Sequence, residues 1–142
     1  MCSREIMKDE WSMYKKEQSS GEDWIMRKNL YPLPKGKSRS DFPVCIYLTA
    51  HYNPYTNQGF PSSEDNDAFE TIENNLASIC DGVHSVFVAT VFMPKLKDFI
   101  IYTHNPDLLS DLIEPHVKKL KQFNFDFGGN EDKTWNQYES FA

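Results

Sequence analysis

The sequence predicts an α+β fold with a ferredoxin-like βαββαβ core. This is an antiparallel sheet with two helices on one face, extended by an N-terminal helix and strand and by a C-terminal helix. Three observations carry the prediction. Residues 42–52, FPVCIYLTAHY, alternate with period two, setting Val44, Ile46, Leu48 and Ala50 on one side and Cys45, Tyr47, Thr49 and His51 on the other. Phe69, Ile72, Leu76 and Ile79 recur at helical spacing. Two strand-like runs follow, HSVFVATVFM and DFIIYTH, then a second amphipathic helix in NPDLLSDLIEPHVKKL and a strand in QFNFDF.

Taken in order, residues 3–18 read as a helix, with Ile6, Met7, Trp11 and Tyr14 near one face and SSG at 19–21 as its stop. DWIMRKNL has strand character. YPLPKGKSRSDFP holds three prolines and three basic residues and reads as an exposed loop. The first core strand leads through NPYTNQGFPSSEDND, a turn-rich link whose acidic end suits a helix start. Asp81-Gly82 closes that helix, and PKLK joins the next two strands as a hairpin. Pro115 is expected to bend the second helix, because it lacks the N–H of the ladder. Phe123, Phe125 and Phe127 then share one strand face, before a GGNED turn and a last helix. The chain is thus expected to be one domain: residues 1–41 as an N-terminal extension, 42–127 as the core and 128–142 as a C-terminal helix. Trp11-x-x-Tyr14 and Trp135-x-x-Tyr138 are expected to be helical aromatic pairs that anchor the two ends.

Composition narrows the function classes. A net charge of -6 argues against binding a phosphate backbone; it suits a solvated acidic surface first, and otherwise a basic protein partner approached by electrostatic steering. The odd cysteine count (Cys2, Cys45 and Cys80) has no framework spacing and points to a reducing, cytoplasmic setting. No signal peptide or membrane-spanning run is visible. Phosphate loops are absent, since Gly128-Gly129 is followed by acidic residues and not by Lys-Ser or Lys-Thr. No cofactor is indicated.

Four motifs in order, EW..Y at the start, GFPSSEDNDAFETIENNL, KDFIIYTHN and ED..W..Y..F at the end, resemble a bacterial family catalogued as domain-of-unknown-function six-ninety-five. The resemblance spans nearly the whole chain. Members are similar in outline to the small acidic inhibitors of ribonuclease E, which implies a ferredoxin-like core and regulation by protein binding in place of catalysis. No catalytic residues come with the family pattern.

Histidines are where catalysis or metal binding would show. His51 and His104 each end a central strand, but antiparallel neighbours put those ends about 20 Å apart. His84 and His104 lie at one edge of a hairpin, with Asp81 and Asp41 nearby, and form the candidate metal set. His51 with Asp98 is half of an acid/base pair, without an accompanying nucleophile. Tyr47 and Tyr102 sit where sheet-borne aromatics stack bases in RNA-recognition domains, yet the interleaved Lys and Arg are missing, so no nucleic acid is expected. Tyr47, His51, Asp98 and Tyr102 are the candidate partner-binding residues, although the N-terminal helix or strand is expected to cover that face and bury the tyrosines. The leading expectation is a non-catalytic cytoplasmic protein of the inhibitor or immunity type that neutralises a basic partner such as a nuclease or toxin. The alternatives are a small hydrolase or metal-binding protein at the histidine edge, and a homo-oligomer paired through open sheet faces.

Overall fold

A computed structural model describes residues 11–16, 24–54 and 61–141. Their backbone forms a six-stranded sheet, β1 (Trp11–Lys16), β2 (Trp24–Asn29), β3 (Val44–His51), β4 (Ser85–Met93), β5 (Leu96–Thr103) and β6 (Asn124–Glu131). The spatial order is β1-β2-β4-β5-β3-β6, and every neighbouring pair runs antiparallel. Helix α1 (Ser63–Ile79) connects β3 to β4, α2 (Pro106–Val117) connects β5 to β6, and the short α3 (Asn136–Ser140) follows β6. The mixed α+β class expected from the sequence is therefore the observed one.

Local chemistry sets the element ends. Ser62 caps α1 by accepting the Asp65 N–H, and Asn105 caps α2 by accepting that of Leu108. Pro106 opens α2, where the missing N–H costs nothing, and Pro115 falls in its last turn. Pro94 followed by Lys95 at φ 74° has the pattern of a type II turn, so the β4–β5 hairpin closes on two residues and Leu96 and Lys97 already belong to β5. Gly82 adopts φ +85°, and a Cβ there would meet the Pro34 ring at 2.6 Å.

Each sheet face carries its own core. On the first, Phe69, Ile72 and Leu76 of α1 and Leu109 and Ile113 of α2 pack on Ile46, Leu48, Phe99 and Ile101. Aromatic rings cluster there, with Phe69 stacked on Phe123 at 4.7 Å. On the second face Phe42, Trp135, Tyr138 and Phe141 lie over Cys45, Val88, Ile100 and Tyr102. Helices cover one face; a loop and the C-terminal segment cover the other.

Three expectations need correction. Trp11–Lys16 is a strand that lengthens the sheet beside β2, so the helical face shared by Trp11 and Tyr14 does not exist there. The remainder of the expected 3–18 helix lies outside the described residues. Trp11 still anchors its strand, with its ring edge-on to Phe87 at 5.2 Å. The second face is covered by residues from the Pro/Gly loop and by 135–141, and not by N-terminal elements, because β1 and β2 are hydrogen-bonded into the sheet plane. Gly128 and Gly129 are strand residues paired with Tyr47 and Ile46, and the turn begins only after Glu131.

Candidate functional site

The four residues expected to bind a partner all derive from the second sheet face, but they separate into two environments. Tyr102 is 0 % exposed. Its ring stacks on Trp135 at 4.2 Å, and its hydroxyl donates to Asp132 Oδ2 at 2.7 Å while accepting the Tyr138 N–H at 3.2 Å. Tyr102 therefore corrects the expectation: it is a fastening point for the C-terminal segment and is closed to any partner. Asp132 accepts the Asn136 and Gln137 amides as well. Although burial opposes it, the Tyr102 hydroxyl and these two amides hold the Asp132 carboxyl below the usual carboxylate range.

Tyr47, His51 and Asp98 lie toward the other end of the face. Tyr47 is half-buried, and burial pushes its hydroxyl well above the ordinary tyrosine range. The expected His51–Asp98 hydrogen bond is replaced by His51 Nε2 on Asp126 Oδ2 at 2.8 Å, because β6 flanks β3 on the side away from β5. Asp98 instead accepts the Thr49 hydroxyl at 2.5 Å. Burial raises the Asp98 carboxyl, with the Thr49 bond and the His51 charge opposing.

The candidate metal set is dispersed in its bonding. His84 is buried, and its Nδ1 lies 2.7 Å from Ser85 Oγ. Ser85 donates onward to Thr103 Oγ1, and Thr103 donates to the His84 carbonyl. The Ser85 proton is thereby committed, so His84 Nδ1 must be the donor to Ser85 and carry the hydrogen. His104 is exposed and joins His84 through its backbone N–H. Asp81 accepts the Val83 amide, and Asp41 accepts the Ser38 amide, which holds its carboxyl low. Among the described residues no three His, Cys, Asp or Glu side chains converge in a way that could hold a metal ion. The two thiols among the described residues are not activated: burial pushes Cys45 up to about 11 and Cys80 up to about 12.

Two features escaped the sequence reading. The two long helices are rich in carboxylates. Helix α1 carries Glu64, Asp65, Asp67, Glu70 and Glu73, α2 carries Asp107, Asp111 and Glu114, and neither helix has a lysine or arginine. On α2 the exposed Leu108 and Leu112, each 38 % exposed, stand one turn apart beside exposed Asp107 and Asp111. The second feature is a cleft of about 420 Å³ lined by Arg27, Asn66, Phe69, Glu70, Glu73, Asn74 and Lys97. The Lys97 side chain is only 7 % exposed, and its Nζ lies 5.0–5.4 Å from the rings of Phe92, Phe99 and Phe69. Glu73 bridges Lys97 at 3.4 Å and Arg27 at 2.7 Å. Burial lowers the Lys97 amine, with the Glu73 charge opposing. A lone Lys in a strand gives no motif, and only the fold shows that it points under α1.

No helix among the described residues is long and apolar enough to cross a membrane. No curated protein and no solved structure matches the chain. Residues 9–142 match a family described as "Family of unknown function (DUF695)", and the chain belongs to it.

Proposed function

We propose that this family member is a non-catalytic cytoplasmic protein-binding domain that neutralises a basic partner, such as a nuclease or toxin, through its helix layer. The observation that carries the reading is the pairing of exposed Leu108 and Leu112 with two helices that bear eight carboxylates and no lysine or arginine within their bounds. His116 and the C-cap Lys118 stand only at the far end of α2. Apolar anchors inside a mainly acidic rim provide burial at the centre and electrostatic steering at the edge. A standard interface of about 800 Å² per partner would take in the outer faces of both helices. The reading extends the resemblance to the acidic inhibitors of ribonuclease E. It also takes β3 to β6 as a ferredoxin-like unit, supported by the β4-β5-β3-β6 order with a helix after β3 and after β5. The unpaired Cys45 and Cys80 support a reducing compartment.

The experiment is capture from the source cell's lysate with the intact chain and with a Leu108→Asp/Leu112→Asp chain, each at low and high salt. A basic protein held by the intact chain at low salt, released at high salt and missed by the double variant is the expected outcome. Retention that ignores both the salt and the two leucines would overturn the reading.

A further inference from the structure

The cleft beneath α1 holds an unresolved account of hydrogen-bond donors. Lys97 Nζ has three N–H groups. Among the described residues the acceptor offered to them is Glu73 Oε2, at a long 3.4 Å. The aromatic rings around the ammonium supply cation–π attraction but no oxygen. An ammonium more than nine-tenths buried, and so short of acceptors, is an unusual arrangement for a group that serves packing alone.

Three of its neighbours also bring donors, beside the carboxylates of Glu70 and Glu73. Arg27 places one guanidinium nitrogen on Glu73 Oε1, is 40 % exposed at the side chain, and lines the same cleft. Asn66 and Asn74 line it too, and each brings an amide that donates as well as accepts. Two cations, Lys97 and Arg27, face two carboxylates, Glu73 that bridges them and Glu70 at the lining. What the cleft offers an anion is therefore the unfilled donors of Lys97 and not an excess of positive charge.

We propose that this cleft binds a small oxyanion, the carboxylate or phosphate group of a metabolite, with Lys97 anchoring it from beneath and Arg27 and the two asparagine amides completing its contacts. The anion supplies the acceptors that Lys97 lacks, and Phe69 offers apolar surface to the rest of the molecule. Bound negative charge favours the protonated amine, offsetting the burial that disfavours it. The inference stands apart from protein docking on α2, since none of these groups is Leu108 or Leu112.

The experiment is calorimetric titration of the full chain with sodium phosphate and, separately, with sodium succinate at fixed ionic strength. Side-chain amide resonances of Asn66 and Asn74 are followed in parallel by NMR. Saturable binding of at least one anion is expected, with shifts in both asparagine amides. The affinity should weaken ten-fold or more in Lys97→Met and stay unchanged in Lys133→Met, which alters an exposed lysine outside the cleft. Saturation by phosphate alone assigns a phosphate group, and saturation by succinate alone assigns a carboxylate. Absence of saturation with both anions, or equal binding by Lys97→Met with its fold retained, overturns the proposal and leaves Lys97 a structural partner of Glu73.

Discussion

Trp135 shows how much one side chain can be asked to do. It is fully buried and sits at φ 60°, ψ 41°, a left-handed conformation that costs a non-glycine residue on the order of 1–3 kcal/mol. Four contacts hold it there: the stack on Tyr102, the edge contact with Tyr138 at 5.3 Å, the Arg39 guanidinium at 5.6 Å, and the indole N–H donated to the Phe42 carbonyl at 3.0 Å. Trp135→Phe keeps a ring for the stack but strands the buried Phe42 carbonyl, so a loss of about 1–3 kcal/mol is expected. Trp135→Ala also removes the ring and should cost about 3–5 kcal/mol. Urea midpoints with an unchanged slope would check both, and a Trp135→Ala chain as stable as the parent would remove Trp135 from this role.

At the scale of elements, β6 is fixed by two adjacent glycines with opposite demands. A Cβ at Gly129 would lie 2.0 Å from the Cys45 carbonyl oxygen, whereas one at Gly128 meets open space. Gly129→Ala should therefore destabilise by about 2–4 kcal/mol through displaced β3–β6 backbone, while Gly128→Ala should change stability by about 0.5 kcal/mol or less. Thermal unfolding of the pair separates them, and equal effects would contradict the close approach at Gly129. The same strand shows where sequence reasoning ran out. Period-two alternation in β3 and the Phe69–Leu76 spacing in α1 were legible because one face of each is buried. Gly-Gly reads as a turn unless the neighbouring backbone is known. The acidic, charged run around Trp11 resembles a helix by spacing, yet pairing with β2 decides it as a strand; tertiary context overrides local periodicity. Of the site residues, Tyr47, His51 and Asp98 do share a face, but which carboxylate meets His51 depends on a flanking strand that no local pattern identifies. The Lys97 cleft, assembled from β2, α1 and β5, had no local signal at all.

The whole molecule is a sheet with two unlike coverings. The helix side is closed by elements adjacent in sequence to the strands they cover. The other side depends on joining distant parts of the chain: Tyr138 donates to the Asn29 carbonyl at 2.6 Å, Trp135 to Phe42, and Arg39 to Glu139 at 2.5 Å. Ending the chain at Glu131 would expose Tyr102, Ile100, Val88 and Cys45 together, a contiguous apolar face of the kind that binds hydrophobic dyes. The shortened chain is expected to bind anilinonaphthalene sulfonate and to self-associate; a monomer that ignores the dye would show that residues 132–141 are dispensable. The same arrangement bears on how the protein is made. During synthesis β3, α1, β4 and β5 leave the ribosome before residues 132–141 do, so part of their shared core can form first. Until that last segment docks, the folding chain presents one helix-covered face and one bare one. Chaperones that recognise exposed aliphatic surface therefore have a defined window, closed by the arrival of Trp135, in which this protein is their client.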